Sequence, residues 1–535
     1  MSHPTQQDLD QLLEYVERYF EKPLLNAELR LPNHVVLEVE PGAFTEGVIK
    51  IYADAWLNAR YLSLLAVDEQ SHFSLHLLFL LKSHKVVLSI QTKLERTNPI
   101  YPALSSSIPA AEWHEREIHD LFGIVPEGGD LRPLVLHRDW PRGEHYPMRH
   151  DFNPALTPVI QEVPHQFDMP EGAGRHQVAV GPIHAGIIEP GHLRFSVTGE
   201  HIHRFDAQLF YTHKGIEKMA EGQPCLDVLT LVEHVCGMCA FAHSLAFTQA
   251  IENLAEVEIP KRAVVFRAIL LEMERLASHF SDLSAICSAG GFTFASARAA
   301  YFRELILQMN QPLSGHRFLR GINTVGGLLK EPSGENLTQA LKNLAELGRQ
   351  FSEWRALVLN TDSFLDRVDS SGYLSQETAR QLGLVGPTAR GSGMDDDMRR
   401  DFPYQVHTQL PVQVKVSEQG DVFSRMMVRI EEVEESISQV SRLIATLPGG
   451  VSFKPIPEQK LVPDKAVIGI VESAKGSLIH WVMLGEKQQV YRWHVRSAPY
   501  MNWRGVVHAT MGQNIVPDAP LVNKSFNLCY ACADR

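Results

Sequence analysis

The chain has 535 residues, of which 44% are apolar and 21% are charged, an ordinary balance for a folded protein of about two to four domains. Its formal net charge of −13 argues against a nucleic-acid partner. Six cysteines are too few for a disulfide framework, and the N-terminus lacks the basic and apolar segments of a signal peptide. No apolar run approaches the roughly 18 residues of a membrane span. We therefore expect a cytoplasmic protein that meets a membrane only through partners.

The first part of the chain predicts a small α+β domain, which we place at residues 1–152. Residues 8–20 carry leucine, valine and phenylalanine at helical spacing. Residues 34–39, 73–79 and 86–90 are rich in apolar residues and have the alternation or the turn boundaries that are typical of strands.

The rest of the chain predicts a linker followed by a larger domain. Residues 153–177 contain several prolines and glycines with little periodicity, which indicates a linker. Residues 178–535 show mainly helical periodicity, so we expect a large α-helical domain with short peripheral strands. Its clearest predicted elements are strands at 193–197 and 466–471 and helices at 260–281 and 422–445.

Four of the six cysteines form two Cys-x-x-Cys pairs that lie far apart. Cys236 and Cys239 stand mid-chain, whereas Cys529 and Cys532 stand close to the last residue. Four thiolates suit one zinc, iron or nickel ion or an iron–sulfur cluster. Structural zinc sites usually draw their ligands from one small module, so the long separation favours a site around which the whole fold is built. For each pair taken alone, a zinc half-site or a redox dithiol stays open.

Three other side chains are candidates for such a site. Glu217 lies shortly before the first pair, and its ordinary alternative is a solvated carboxylate at a helix start. His243 is four residues after Cys239, so a helix would put both on one face and let the imidazole donate to a thiolate; a core histidine is the alternative. Lys475 follows the predicted strand at 466–471 and would supply a compact ammonium group with a tunable pKa.

The cysteine pattern has a close counterpart in a known family. Cys236-Gly-Met-Cys239-x-x-x-His243, with the C-terminal Cys529-x-x-Cys532, resembles the large subunit of group 4 NiFe hydrogenases of the formate hydrogenlyase type. The resemblance extends over nearly the whole chain. Residues 113–152 resemble the small hydrophilic subunit of respiratory complex I, and residues 314–321 and 386–404 resemble its quinone-binding subunit.

The resemblance implies a function and a set of site residues. It implies a Ni-Fe centre bound by all four cysteines, with small diatomic ligands on the iron, which catalyses 2H⁺ + 2e⁻ ⇌ H₂. It implies that Glu217 is the proton-transfer carboxylate, that Lys475 is the cation beside the metals and that His243 tunes a thiolate. It also leaves room for magnesium or a further metal near the C-terminus.

The resemblance also implies partners. Only Cys225 and Cys287 remain outside the two pairs, so no relay cluster fits in this chain and electrons must come from another subunit. The implied partners are an iron–sulfur small subunit resembling the terminal-cluster subunit of complex I, ferredoxin-like electron-transfer subunits, antiporter-like membrane subunits and formate dehydrogenase. We therefore expect a peripheral protein on the inner face of the cell membrane. The family further implies that a protease removes an extension after Arg535.

A few positions depart from the family pattern. His234 replaces an arginine, Lys475 replaces an arginine found in many members, and Asn527 and Leu528 replace a frequent Asp-Pro. These departures favour an alternative function, a complex I-like quinone- or ion-coupling subunit without hydrogen chemistry. The four retained cysteines oppose that alternative.

Overall fold

The computed structural model confirms the predicted α+β class. A sheet-containing first part is followed by a larger, mainly helical part with short strands. The predicted linker at 153–177 falls largely outside the described residues, so the proposed limits of the two domains stay predictions. The structure describes residues 6–20, 24–30, 33–141, 143, 145–155, 159, 174–184 and 189–535.

The first part is built on a five-stranded sheet with helices packed against it. The strands are β1 (Asn26–Arg30), β2 (His34–Glu38), β3 (Ala59–Asp68), β4 (His72–Leu81), β5 (Val86–Glu95), β6 (Ile100–Pro102) and β7 (Val125–Glu127). The helices are α1 (Gln6–Glu17), α2 (Pro41–Ala53) and α3 (Glu112–Phe122). The sheet order is β1-β2-β5-β4-β3, in which only β2 and β5 pair in parallel; β6 and β7 form a separate parallel pair.

Strand β3 was not predicted, and its burial explains why. Nine of its ten residues are buried, so its sequence lacks the apolar–polar alternation of a half-exposed strand. The strand contacts α3 and also reaches the second part of the molecule, where Ser63 Oγ lies 2.9 Å from His494 Nε2. The first part is therefore packed directly against the larger one.

The second part contains the long helices of the molecule. Its strands are β8 (Arg175–Val180), β9 (His192–Thr198), β10 (His201–Gln208), β11 (Asn323–Thr324), β12 (Gly327–Leu328), β13 (Ala466–Ser473), β14 (Gly476–Leu484) and β15 (Val490–Arg496). Its helices up to the middle are α4 (Ile216–Ala220), α5 (Leu229–Glu233), α6 (Ala240–Leu254), α7 (Lys261–Ala289), α8 (Thr293–Ser314), α9 (Gly334–Leu359) and α10 (Asp362–Val368). The remaining helices are α11 (Gln376–Gln381), α12 (Gly386–Arg390), α13 (Met398–Asp401), α14 (Val422–Ala445), α15 (Ala498–Thr510), α16 (Ala519–Phe526) and α17 (Tyr530–Asp534).

Helix α6 lies at the centre of this part. Every residue of α6 except Asn253 is buried, which is the pattern of a helix enclosed on all sides. It packs on β13 and β14, and a Cβ atom at Gly469 of β13 would meet the carbonyl oxygen of Ala246 at 1.8 Å. Glycine at 469 therefore lets the strand approach the helix backbone.

The predicted elements mostly agree with the structure. The predicted helix at 422–445 coincides with α14, and the one at 260–281 is the first two thirds of α7. The predicted helix at 8–20 ends three residues earlier, at Glu17. Among the described residues, no helix combines the length and the apolar character that a membrane span requires.

Candidate metal centre

The first cysteine pair lies at the start of α6. Cys236 and Cys239 are both buried, and Cys239 directly precedes the helix. The loop between them turns back on itself, because the backbone N–H of Met238 donates to Cys236 Sγ at 3.4 Å. This tight loop aims both thiols to the same side of the chain.

The second pair lies at the start of α17 and meets the first pair. Cys529 directly precedes α17, and Cys532 is fully buried within it. The thiol of Cys236 lies close enough to those of Cys239, Cys529 and Cys532 for each of them to shift its pKa. Cys239 also contacts Cys532. The structure thus brings together four sulfur atoms from sequence positions almost 300 residues apart.

The four thiols differ in how readily each of them loses its proton. Hydrogen bonds from Cys239, Cys529 and Cys532 hold the pKa of Cys236 far below its usual value. Contact with Cys236 raises the pKa of each of the other three thiols. A buried cluster of this kind can hold several thiolates only if a cation neutralises them, and sulfur donors prefer soft or borderline metals. The donor set therefore fits a nickel-containing centre.

His243 contacts the second pair of cysteines. Its Nε2 lies 3.4 Å from Cys532 Sγ, and its Nδ1 lies 2.9 Å from Nε2 of His480. Trp493 Nε1, which can only donate, contacts Nδ1 of His480 at 3.1 Å. Burial lowers the pKa of His243 to about 4 and holds that of His480 well below its usual value, so both rings are neutral near pH 7. With neutral rings, the chain of donors runs from Trp493 through His480 to His243 and ends on the sulfur of Cys532.

Lys475 lies beside the second pair in a buried charged cluster. Its ammonium group is hydrogen-bonded to Oδ1 of Asp282, which also accepts from Asn527 Nδ2 at 2.7 Å. Arg429 Nε donates to the other carboxylate oxygen at 2.8 Å. Burial works to raise the pKa of Asp282, but Lys475 and Arg429 outweigh it and hold that pKa below its usual value. Two of the departures from the family pattern, Lys475 and Asn527, thus meet on one carboxylate.

The third departure, His234, lies apart from that carboxylate. Its side chain is exposed, and its Nδ1 lies 2.6 Å from the carbonyl oxygen of Thr230. Its position gives no reason to couple it to Lys475 or Asn527.

Glu217 lies in a different charged cluster. Its carboxylate accepts from Arg492 Nη1 at 2.7 Å, from Arg535 Nη1 at 3.1 Å and from the backbone N–H of Val495 at 2.9 Å. Burial works to raise its pKa, but Arg492, His494 and Arg535 hold that pKa far below its usual value. No hydrogen bond found in the described part of the chain joins Glu217 to a cysteine. The carboxylate is therefore held ionised by its arginine partners.

A carboxylate that the sequence did not single out contacts the backbone between the two cysteines of the second pair. Glu189 accepts a hydrogen bond of 2.9 Å from the backbone N–H of Ala531, which stands between Cys529 and Cys532. Burial raises the pKa of this carboxyl, and the negative charge of Cys236 adds to the rise. The residue is nevertheless exposed at one side, so it links solvent with the cysteine segment. Glu189 lies in an irregular segment just before β9, where periodicity gives no signal.

Glu274 of α7 is a second carboxyl that sequence reasoning missed. It accepts from the first backbone N–H groups of α6, those of Phe241 at 2.7 Å and Ala242 at 3.0 Å. Burial raises its pKa to about 8, and the charge of Cys236 contributes. The sequence pattern gave no signal for it, because it lies in the middle of a core-forming helix.

One group with metal-ligand geometry lies near the C-terminus. Ligand atoms of Glu117, Glu217 and His494 all lie within 4.8 Å of one another. The guanidinium of Arg535 already contacts both carboxylates, and Arg492 contacts one of them. These arginines supply the positive charge that a metal would otherwise bring.

Comparison with known proteins matches three families to successive parts of the chain. The 30 Kd subunit of respiratory-chain NADH dehydrogenase matches residues 37–157. The nickel-dependent hydrogenases match residues 214–287, which include the first cysteine pair. The 49 Kd subunit of respiratory-chain NADH dehydrogenase matches residues 290–535, which include the second pair. The fold and the cysteine site together define a hydrogenase-type subunit with complex I-like parts.

Two individual relatives show more narrowly to which family of hydrogenase subunits the chain belongs. Formate hydrogenlyase subunit 5 of Escherichia coli is 37% identical over 85% of this chain and 80% of its own length. Hydrogenase-4 component G of the same organism is 32% identical over 98% of this chain and 92% of its own length. The chain belongs to the group 4 hydrogenase large subunits with fused complex I-like domains, and it is a hydrogenase-type oxidoreductase.

A solved structure shares the fold. The membrane-bound sulfane sulfur reductase, an archaeal respiratory membrane complex, contains a chain with a TM-score of 0.64 and 23% identity. The match covers 68% of this chain and all of that one. The two chains therefore share a fold over that length.

Proposed function

We propose that this protein is the catalytic large subunit of a membrane-associated hydrogenase complex, catalysing 2H⁺ + 2e⁻ ⇌ H₂. The observation that carries the proposal is the convergence of Cys236, Cys239, Cys529 and Cys532 in one buried cluster. In this proposal the four cysteines hold a Ni-Fe centre, with diatomic ligands on the iron. When bound, that centre supplies the redox chemistry and takes up or releases the two electrons.

The surrounding residues have separate parts in this proposal. His243 donates a hydrogen bond to Cys532 and so tunes the basicity of that sulfur. Lys475 adds a buried positive charge near Cys529, held in place by Asp282. Both side chains act on the second cysteine pair and neither needs to leave its present position.

A carboxylate has to carry protons between solvent and the centre. The resemblance assigns this part to Glu217, and the structure adds Glu189 as a competitor. Glu189 suits the task better, because it is exposed on one side, contacts the cysteine segment and has a raised pKa. Protonating Glu217 would leave Arg492 and Arg535 short of a counter-charge in a buried place.

In this proposal, electrons reach the chain from a partner subunit. The two remaining cysteines, Cys225 and Cys287, are single buried thiols and cannot hold a relay cluster. The partner set that we propose is an iron–sulfur small subunit, ferredoxin-like subunits and antiporter-like membrane subunits, with formate dehydrogenase or another low-potential donor upstream. The complex would then hold this chain at the inner face of the cell membrane. Relatives that belong to formate hydrogenlyase and hydrogenase-4 support this choice.

Metal analysis of the purified complex tests the proposal. We expect nickel and iron at about one atom each per chain beyond the iron of partner clusters, with catalysis of hydrogen–deuterium exchange. A Cys225→Ser chain is the matched control, because it removes a buried thiol outside the cluster. A complex without nickel and without exchange would favour the complex I-like coupling subunit, to which the match with the 49 Kd subunit also points. Zinc in place of nickel would favour a structural site.

A further inference from the structure

The last residue of the chain has its side chain buried in a pocket built by other segments. Arg535 is 3% exposed. Its Nη2 donates to Glu117 of α3 at 2.5 Å, and its Nη1 donates to Glu217 of α4 at 3.1 Å and to the carbonyl oxygen of Val495 at 2.7 Å. Its guanidinium carbon lies 4.7 Å from the centre of the Tyr500 ring. One carboxylate of this pocket thus comes from the first part of the molecule.

The neighbouring residues of the segment are held in the same way. The carboxylate of Asp534 accepts from the backbone N–H groups of Phe210 and Thr212, each at 3.0 Å. The carbonyl oxygen of Asp534 lies 2.6 Å from His213 Nδ1, and that of Arg535 accepts from the N–H of Lys214 at 2.7 Å. The chain end is therefore fixed by side chains and by the loop at 210–214 rather than by a long helix of its own.

The buried charges around Arg535 balance only when two carboxylates and two guanidinium groups are all present. Glu117 and Glu217 contribute two negative charges, and Arg535 and Arg492 contribute two positive ones. Glu217 is shared by both arginines, whereas the ion pair of Glu117 found among the described residues is with Arg535 alone. Removing the charge of Glu117 leaves one buried positive charge uncompensated, which is costly.

We infer that Glu117 is a positioning residue for the cysteine cluster, supplied by the complex I-like first part of the chain. Its carboxylate holds Arg535, and Arg535 holds α17 at the place where Cys529 and Cys532 meet the first pair. The first part of the molecule therefore completes the metal centre without touching it. The expected effect on metal binding rests on the proposed function. The expected effect on the position of the chain end rests on geometry alone.

Hydrogen–deuterium exchange of backbone amides in the purified complex tests the inference directly. The N–H groups of Ala531, Ala533 and Arg535 are all hydrogen-bonded and report on the segment. We expect Glu117→Gln to speed exchange in a peptide covering 527–535 at least tenfold, and to lower nickel content when nickel is limiting. Exchange within β4, in the core of the first part, should keep its parent rate.

Three further variants separate this role from a general structural one. Glu112→Gln is the matched control, because Glu112 lies on the same helix and its 2.8 Å pair with Arg504 bridges the same two parts of the molecule. We expect it to leave exchange in 527–535 unchanged. Glu117→Asp should restore most of the protection. The double variant Glu117→Gln/Arg535→Gln is balanced in charge, so its effect should be smaller than the sum of the two single effects.

Two outcomes would overturn the inference. One is a Glu117→Gln chain with parent exchange rates in 527–535, and the other is a double variant whose effects simply add. A parent complex without nickel would instead contradict the proposed function while leaving the exchange measurement valid. The two failures are therefore distinguishable.

Discussion

The two cysteine pairs meet in one cluster, yet they are held there by different means. The first pair lies at the start of α6, which is enclosed by β13, β14 and other core elements. The second pair lies at a five-residue helix close to the chain end. Tyr530 of that helix packs on Trp503, and hydrogen bonds and ion pairs to distant residues add to the support through Glu189, Asp534 and Arg535.

This difference predicts different responses to mutation. Packing is shared among many side chains, so a single polar substitution near the first pair removes a small fraction of its support. The contacts of Asp534 and Arg535, which help to hold the second pair, involve buried charged groups, and loss of one partner leaves the other unsatisfied. We therefore expect the second pair to be the more easily displaced of the two.

Replacement of the cysteines has the largest expected effect. Changing any one of Cys236, Cys239, Cys529 or Cys532 to serine should abolish hydrogen turnover and lower nickel content, because one sulfur donor is lost. Metal analysis and a hydrogen-evolution assay measure both. The control is Cys287→Ser, which alters a fully buried thiol elsewhere in the core. Full activity in any of the four variants would show that the cluster is not the metal site.

The two candidate carboxylates come next. Glu189→Gln should keep nickel and lower turnover by about 10² or more, the scale of a positioned acid–base group. If Glu217 transfers protons, as the sequence predicts, Glu217→Gln should also keep nickel and lower turnover. If Glu217 only holds Arg535, the same change should lower nickel content and turnover together. Turnover and nickel content, measured for both variants in parallel, decide between them. Parent turnover in Glu189→Gln would exclude that residue from the proton path.

Lys475 tests the charge beside the second pair. Lys475→Arg keeps the positive charge, so we expect most of the activity to remain. Lys475→Ala removes one of three side chains that donate to the buried carboxylate of Asp282, the others being Arg429 and Asn527, and removing one partner of a buried pair typically costs about 3–5 kcal/mol. Turnover and the melting temperature should both fall further in the alanine variant. If both variants work like the parent, Lys475 only packs.

The smallest predicted effect concerns the support of the first pair. Glu472 lies on β13, and burial together with the charge of Asp397 raises its pKa to about 7, although Arg390 opposes the rise. Because the folded state keeps a proton that the unfolded state loses above about pH 4.5, stability falls as pH rises through this window. The loss amounts to about 3 kcal/mol at most.

Glu472→Gln should remove this loss. The melting temperature of the variant relative to the parent should therefore rise between about pH 4.5 and pH 7 and then level off. Thermal unfolding at several pH values measures the difference. A difference that stays constant across that range would show that Glu472 does not titrate there.

The sequence predicted two of the long helices, α7 in part and α14 in full, but not α8 or α9. Helix α14 has one apolar face, so its periodicity marks both of its ends, and the Cys-x-x-Cys spacing is specific enough to stand out. Strand β3 was not predicted, because it is buried on both faces and so lacks the apolar–polar alternation of a half-exposed strand. The α+β class followed from the contrast between a strand-rich first part and a helical second part.

The surroundings of the cysteines were predicted less completely. His243 was found because it shares a helix with Cys239, but its hydrogen bond goes to Cys532, on the other side of the cluster. His480, Glu189 and Glu274 reach the site from separate elements, and contacts over such sequence distances leave no mark in local spacing. The joint contact of Lys475 and Asn527 with Asp282 could not be predicted for the same reason.

The ion pair between Glu117 and Arg535 has a consequence for the order of folding. The two residues are 418 positions apart, among the most distant partners joined in the molecule. Closing so long a loop has an entropic cost that nearer contacts must offset first, so this pair forms late on the folding pathway. Until it forms, Arg535 keeps its contacts with Glu217 and Val495 but lacks the one that joins α17 to the first part of the molecule. We therefore expect the second cysteine pair to reach its final position late in folding, after the first part of the molecule has formed.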